Sequence, residues 1–255
     1  MSQFNSIPEL VRKDYVNSLF NQTFIDVWEK AYLEKVKQVL SPELNGDKVF
    51  ALGDHLRDVF IAGKNTKKIS SSSKDESQKE NKEAGEGWER LCIWYLNLCS
   101  CGSRLVFRKW NKSVPYQIRN ALTVKYGNFN CNSETDIIGI VFPDKKEFLT
   151  EFNSTSDLNI YGKKYPVFND DNLNDEILPM LVEKYINEIE IGVIQCKSNW
   201  NENAQYPMLW DLIYKNYLSL DSNLSVGQNG YTIRDFKKFS YSFVTRLIAL
   251  KTQVL

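Results

Sequence analysis

A chain of 255 residues, 42% hydrophobic and 25% charged, has the composition of a globular protein with one sizeable core or two small domains. Its 32 basic and 32 acidic residues cancel, which argues against non-specific coating of DNA. No apolar run approaches the roughly 18 residues of a membrane span, and the first residues lack the basic-then-apolar order of a signal peptide. The sequence therefore predicts a cytoplasmic protein without a membrane segment.

The first 63 residues are predicted to form an N-terminal helical region. Apolar residues recur at steps of three and four over residues 8–40, which is typical of amphipathic helices. Ser41-Pro42 ends this stretch, because the residue before a proline disfavours helix. Residues 64–83 are almost wholly polar and cannot bury a core, so they are predicted to form a flexible loop or linker.

The core of the protein is predicted between residues 84 and 220. A helix is expected over 86–99, and residues 144–185 are polar and turn-rich, which indicates an insertion and a candidate recognition region. Strands are expected over residues 105–108, 121–126, 136–142 and 190–197. Further helices are expected over residues 181–186, 203–217 and 233–251, and residues 221–255 are predicted to form a C-terminal helical region. The fold class is therefore α/β or α+β, with helical additions at both ends of the chain.

The cysteines and the histidine limit the chemistry that the chain can perform. The five cysteines are odd in number and show no C-x-x-C spacing, which favours free thiols over disulfides or a zinc site. The single histidine, His55, is too few for a histidine-metal nuclease. A Ser-His-Asp or Cys-His hydrolase would have to use this one residue, far in sequence from the polar motifs below.

Two short apolar runs each contain polar residues. The run 135–141 carries Asp136, and the run 191–197 carries Gln195 and Lys197. Side chains alternate between the faces of a strand, so Gln195 and Lys197 point the same way. A carboxylate on one strand, with an amide oxygen and an ammonium on its neighbour, can hold a hard cation and a water molecule. Phosphodiester hydrolysis needs both.

These two runs, with the helix that opens at residues 84–91, resemble the PD-(D/E)XK nuclease superfamily, and within it type II restriction endonucleases. The resemblance covers about Gly85 to Tyr217. The chain reads Thr-Asp in place of Pro-Asp, and Gln195-Cys-Lys197 in place of Asp/Glu-X-Lys, with glutamine where some restriction enzymes of the superfamily also carry it. The resemblance implies a restriction-endonuclease-like core, a small mixed β-sheet flanked by helices. It also implies a Mg²⁺ cofactor and a homodimer that cuts both strands of DNA.

The resemblance also implies roles for individual residues. Asp136 and the Gln195 oxygen would hold Mg²⁺, Lys197 would align or deprotonate the attacking water, and Glu89 would support the metal. Two further carboxylates are weaker candidates: Glu86 and Glu134. An ordinary structural role stays open for each of the four main candidates. Asp136 could cap a turn at the start of a strand, and Gln195 could be a hydrogen-bonding residue on an edge strand. Lys197 could be a solvated lysine at a strand end, and Glu89 an exposed helical glutamate.

The charge pattern predicts where DNA binds. Residues 90–133 contain no acidic residue but several basic ones interleaved with aromatic residues, which suits phosphate binding. The predicted phosphate contacts are Arg104, Arg108, Lys109 and Lys112. Amide side chains can read adenine edges or bind phosphates, although Asn201 or Asn203 could instead cap a helix. The predicted amide contacts are Asn199, Asn201, Asn203 and Gln205.

Taken together, these features predict a Mg²⁺-dependent endonuclease for double-stranded DNA, a sequence-specific type II restriction enzyme of a restriction-modification system. No nucleotide cofactor is expected, because the chain has no phosphate loop of the G-x-x-x-x-G-K type. Two alternatives remain: a repair, recombination or mobile-element nuclease of the same fold, and an inactive DNA-binding or protein-interaction module in which Gln195 marks a lost site.

Overall fold

A computed structural model describes residues 6–67, 74–126, 129–131, 135–152, 157–166, 173–197 and 224–245. Among them, the α-helices are α1 (Ile7–Leu19), α2 (Gln22–Val27), α3 (Leu33–Leu40), α4 (Gly46–Lys67), α5 (Lys74–Cys99), α6 (Tyr116–Ala121), α7 (Lys146–Leu149) and α8 (Leu178–Tyr185). The strands are β1 (Leu105–Lys109), β2 (Val124–Tyr126), β3 (Phe129–Cys131), β4 (Ile137–Val141), β5 (Asp157–Ile160), β6 (Lys163–Pro166), β7 (Glu190–Lys197), β8 (Leu224–Val226) and β9 (Lys238–Thr245).

The chain divides into two compact units. The sheet unit comprises Met1–Ser18, Ser100–Gln195 and Met208–Ser242. The helical unit comprises Leu19–Cys99, Cys196–Pro207 and Phe243–Leu255. Within the described residues, no helix has the length and apolar character needed to cross a membrane.

Aromatic side chains pack together in the helical unit, where α2 leads through a π-helical turn at Trp28–Tyr32 into α3. Asn21 begins α2, because its side chain accepts a hydrogen bond from the Phe24 backbone nitrogen at 3.0 Å. The Trp28 ring then meets Phe24, Tyr32 and Trp94 with centroids 4.7 to 6.3 Å apart. The helical character predicted for residues 8–40 is confirmed.

The polar segment 64–83 differs from the predicted loop. Helix α4 continues to Lys67 and α5 already begins at Lys74, while residues 68–73 lie outside the described part of the chain. Lysine, glutamate and glutamine are good helix formers, and a polar helical turn needs no core of its own when it extends a helix that is buried further along. Trp88 and Leu91 supply that burial in α5.

The described part of the sheet unit contains a four-stranded sheet in the order β1-β4-β7-β9. Strand β4 runs antiparallel to β1 and to β7, with Ile137 opposite Ile194. Strand β9 runs parallel to β7, because the backbone nitrogen of Lys237 donates to the Ile189 oxygen at 2.9 Å, just before both strands begin. The sheet is therefore mixed, and the predicted α/β class is confirmed at this level.

Strand β4 is central in this sheet and buried on both faces, which explains why all its residues except Gly139 are β-branched. Ile138 and Ile140 belong to the main hydrophobic cluster, together with Val193 of β7, Ile7 of α1 and Leu181 of α8. Each such side chain contributes roughly 1.5 to 3 kcal/mol by leaving water. This packing fixes the strand ends that carry the polar residues of the two motifs.

In its described part, residues 224–245, the C-terminal region forms strands in place of the predicted helix. Residues 224–245 form β8, a single helical turn at Ile233–Asp235 and β9, while 246–255 lie outside the described residues. In β9 the half-buried Phe239 and Tyr241 alternate with the exposed Ser240 and Ser242. This period of two is typical of a strand, and the helical interpretation missed it. The helix predicted over 203–217 lies outside the described residues.

A carboxylate on α7 is held by two side chains of α8. Glu147 accepts hydrogen bonds from Lys184 at 2.8 Å and from Tyr185 at 2.6 Å. These bonds, that of Lys184 first, lower the pKa of Glu147 from 4.5 to about 2. The lowered value means that the contribution of Glu147 to stability is present above pH 4.5 and is lost as the pH falls from about 4.5 to about 2.

We expect Glu147→Gln to lower the free energy of unfolding by about 1–2 kcal/mol at pH 7, after allowance for solvent screening. The difference from the parent should shrink towards zero near pH 2, as measured by urea unfolding across the pH range. The control is Glu188→Gln, which breaks a more exposed ion pair to Lys145 at 2.9 Å and should cost less than about 0.5 kcal/mol. An equal loss at pH 3 and pH 7 for Glu147→Gln would contradict the prediction.

Candidate functional site

Asp136 lies directly before β4, at the edge of the buried sheet. Its backbone oxygen accepts a hydrogen bond from the Trp110 nitrogen at 2.9 Å, which extends the pairing of β1 with β4. Ile137 is opposite Ile194, so continuing the register by one residue places Asp136 opposite Gln195. Opposing residues of antiparallel strands project from the same face. The structure thus brings the carboxylate of the first motif beside the amide of the second.

The Gln195 side chain is fully buried, with 0% of its surface exposed. Its Oε1 accepts a hydrogen bond from the Tyr241 hydroxyl at 2.7 Å. Its Nε2 is buried and has no hydrogen-bond partner among the described residues. An unpartnered buried donor costs roughly 1–3 kcal/mol, and a bound water molecule or a change of side-chain orientation would remove that cost.

Tyr241 is the residue of this site that the sequence analysis missed. It lies on β9, in the stretch predicted to be helical, and only the period-two pattern of that strand could have pointed to it. Burial raises the pKa of Tyr241, and the negative charge of Asp136 raises it further. Asp136, Gln195 and Tyr241 are called the strand-end cluster below.

The strand-end cluster fits a hard divalent cation with few protein ligands. Carboxylate and amide oxygens are what Mg²⁺ prefers, and Mg²⁺ usually keeps several waters and takes one or two carboxylates plus substrate phosphates. Rotating the Gln195 amide by 180° exchanges its oxygen and nitrogen, so the oxygen can face the carboxylate. Within the described residues, however, no three His, Cys, Asp or Glu side chains come together. Water and phosphate would have to complete the coordination.

Comparison of the chain with models of protein families, with curated proteins and with solved structures finds no match. The functional conclusion therefore depends on the geometry of the strand-end cluster and on the residues that carry the resemblance to PD-(D/E)XK nucleases.

Of the other residues predicted to take part in catalysis, the structure describes Lys197, Glu89 and Glu86. Lys197 is the last residue of β7, two positions beyond Gln195, and its side chain is half-buried. Glu89 is half-buried on α5 in the helical unit, where Glu86 is exposed. Glu134 lies outside the described residues. The roles of these four side chains stay predictions.

Arg108 is placed differently from the other predicted phosphate contacts. Only 1% of its surface is exposed, and its guanidinium lies over the Tyr15 ring at 5.3 Å and donates to Ser113 at 3.0 Å. Burial lowers the pKa of Arg108. Because this side chain does not face solvent, its burial argues against the predicted contact with a DNA phosphate.

The other predicted DNA contacts divide between surface positions and undescribed ones. Lys112 is exposed, Lys109 is half-buried, and Arg104 is half-buried with its guanidinium donating to the Phe142 backbone oxygen at 2.9 Å. Their contacts with phosphate stay predictions. The amide residues predicted to contact bases or phosphates lie outside the described residues: Asn199, Asn201, Asn203 and Gln205.

A groove of about 510 Å³ in the sheet unit shares no residue with the strand-end cluster. Acidic and basic side chains both line it, among them Glu183 and Arg234. The Tyr231 hydroxyl donates a hydrogen bond to Glu183 Oε2 at 2.7 Å, so one oxygen of this carboxylate already has a partner within the protein. This mixture of charges selects no class of ligand, so the groove adds nothing to the functional assignment.

Proposed function

We propose that the protein is a Mg²⁺-dependent endonuclease for double-stranded DNA with a PD-(D/E)XK core, most like a type II restriction enzyme that acts as a homodimer. The observation that carries the proposal is the position of Asp136 opposite a fully buried Gln195 on the neighbouring strand. A mixed sheet with helices around it agrees with the fold that the resemblance implies.

In the proposed site, the Asp136 carboxylate and the Gln195 oxygen would hold the cation. Mg²⁺ bound there would lower the pKa of a bound water and offset the charge that develops on the phosphate. Lys197 donates a hydrogen bond that aligns the attacking water or stabilises a non-bridging phosphate oxygen. Attack by water on phosphorus forms a new P–O bond and breaks the bond to the 3′ oxygen. The products that the resemblance implies are a 5′-phosphate and a 3′-hydroxyl.

A second candidate function is a DNA-binding module without activity. It is favoured by the small number of carboxylates in the described part of the site, where Gln195 takes the place of an acidic residue. A repair, recombination or mobile-element nuclease of the same fold would use the same strand-end cluster and would differ in substrate. The pattern of DNA fragments distinguishes a restriction enzyme, another nuclease of the same fold and an inactive binding module.

The test is incubation of the full chain with unmethylated plasmid DNA and Mg²⁺, beside a sample containing a chelator, followed by sequencing of the ends. Discrete fragments with constant end sequences are the expected result. A smear would indicate a nuclease without sequence specificity. Intact DNA that is retarded on a gel would favour the binding module, and intact DNA that is not retarded would contradict both candidate functions.

Replacing Gln195 tests whether its side chain is a metal ligand. We expect Gln195→Glu to lower stability without metal, because it adds a buried carboxylate beside the half-buried Asp136. The same change should raise Mg²⁺ affinity by about tenfold or more without DNA, because a second full charge faces the cation. Thermal unfolding with and without Mg²⁺ measures both effects.

The control is Asn97→Asp, which places a carboxylate at another buried amide, on α5 of the helical unit, where Nδ2 donates to the Ile93 oxygen at 3.0 Å. This variant should lose stability and gain none back from Mg²⁺. If Gln195→Glu binds Mg²⁺ no more tightly than the parent, Gln195 is not a ligand and the Gln-X-Lys motif is a coincidence of strand sequence.

A further inference from the structure

We propose that Tyr241 is a positioning residue that holds the plane of the Gln195 amide for a divalent cation shared with Asp136. This inference rests on the proposed function and extends it to a third strand of the sheet. Its basis is the hydrogen bond from the Tyr241 hydroxyl to Gln195 Oε1 at 2.7 Å. Within the described part of the chain, the Gln195 amide is therefore bonded at Oε1 alone, and its Nε2 has no hydrogen-bond partner.

An amide side chain needs such a partner to be a defined ligand. The last torsion of glutamine is broad, so the backbone of β7 fixes where the side chain begins but not the plane of its amide. A hydrogen bond at one end of the amide fixes its plane. Without this bond, part of the cation affinity would be spent on ordering the side chain.

A tyrosine hydroxyl suits this role because it both donates and accepts hydrogen bonds. In the structure it donates to Oε1, and Nε2 is the unpartnered atom. When the amide is turned over, Nε2 donates to the tyrosine oxygen and Oε1 becomes free for a cation beside Asp136. Tyr241 can therefore keep its hydrogen bond to Gln195 in both orientations, and with a cation bound every polar atom of the amide has a partner.

The position of the Tyr241 oxygen is fixed by the sheet. Strand β9 starts in register with β7 through the backbone bond between Lys237 and Ile189, and through an ion pair from Lys237 to Glu190 at 2.8 Å. The Tyr241 ring packs against the main hydrophobic cluster. A rigid ring on a paired strand orients a ligand better than a flexible side chain on a loop.

The experiment is a titration of the full-length, ¹⁵N-labelled protein with Mg²⁺ alone, followed by the side-chain amide signal of Gln195. That signal is assigned by its loss in Gln195→Ala, and the method measures millimolar affinities. In the parent, the signal should shift as Mg²⁺ binds. In Tyr241→Phe, the affinity for Mg²⁺ should fall about five- to tenfold, which corresponds to about 1 to 1.4 kcal/mol.

Two comparisons separate positioning from a general structural effect. Tyr231→Phe removes another hydroxyl that donates to a side chain at 2.7 Å in the sheet unit, and it should leave Mg²⁺ affinity unchanged. In the Gln195→Ala background, Mg²⁺ binding is followed by the backbone amide signal of Asp136, and Tyr241→Phe should cause no further loss, because the amide through which Tyr241 acts is absent. An equal loss in both backgrounds would overturn the proposal.

Failure of this inference and failure of the proposed function give different results. If the parent binds Mg²⁺ but Tyr241→Phe binds it equally well, the positioning role is overturned and the nuclease proposal is unaffected. If Mg²⁺ binds the parent without moving the Gln195 amide signal, the role is likewise overturned, even where Tyr241→Phe does not fold. If the parent binds no Mg²⁺ in the titration but cuts DNA, the positioning role is overturned and the nuclease proposal stands. If the parent binds no Mg²⁺ and also leaves DNA intact, both proposals are overturned together.

Discussion

Asp136→Ala is expected to lower the rate of Mg²⁺-dependent DNA cleavage by about a thousandfold or more and to change DNA affinity by no more than a few-fold. The carboxylate contributes the full negative charge of the strand-end cluster, beside a neutral Gln195. A metal ion stabilises charge in phosphoryl transfer by several kcal/mol, and each 1.4 kcal/mol or so is a factor of ten in rate. Cleavage of labelled DNA and gel retardation measure the two quantities separately.

The control for this prediction is Asp144→Ala, which removes an exposed carboxylate from the loop after β4. It should leave cleavage unchanged. Asp136→Asn keeps the size of the side chain and removes its charge, so it should be nearly as inactive as the alanine variant if charge is what matters. An Asp136→Ala protein that cuts at the parent rate, with its fold intact, would contradict the site assignment.

The sequence predicted the two motif strands because their signal is local. Central strands buried on both faces read as continuous β-branched runs, and the expected bounds 136–142 and 190–197 agree with β4 and β7 within a residue. Polar residues are conspicuous in such runs, which is why Asp136 and Gln195 could be identified. Their pairing depends on strand register, a long-range property, and the sequence indicated it only through resemblance to a family.

Tyr241 could not be found in the same way, because it meets Gln195 from 46 residues further along the chain. A period of two over eight residues in β9 was outweighed by an expectation of helix at the chain end. For Arg108, by contrast, the sequence pattern predicted a surface position and the structure shows a buried one. Its charge and neighbours indicate a basic surface, yet the side chain is buried over the Tyr15 ring, a placement that depends on α1 packing against β1.

The second large effect is expected for stability, at Gly227→Ala. Gly227 has a φ of +102°, a backbone conformation that residues with a Cβ rarely adopt. A Cβ at this position would overlap the Tyr231 backbone oxygen and come within 3.0 Å of the Thr232 Cα. Because both obstacles are backbone atoms, they cannot move aside as the end of a side chain can. The Gly227 nitrogen also donates to the Thr123 oxygen at 2.7 Å, which restrains the turn.

Gly230→Ala is the matched control, three residues further along the same turn. Gly230 also has a positive φ, +83°, but a Cβ there would meet no atom within 4 Å. It should therefore cost only the roughly 1–2 kcal/mol of placing a Cβ in the left-handed region. Gly227→Ala should cost this strain plus the overlap, about 3–5 kcal/mol in total, at the upper end for a single substitution.

Thermal unfolding of the two variants beside the parent tests this prediction. At roughly 2–4 °C per kcal/mol for a chain of this size, Gly227→Ala should lower Tm by about 6 °C or more, and Gly230→Ala by about half as much or less. Equal losses would show that strain in φ alone determines the cost and that the backbone around Gly227 yields to a methyl group. A larger loss at Gly230 than at Gly227 would contradict the placement of the turn before β9, the strand that carries Tyr241.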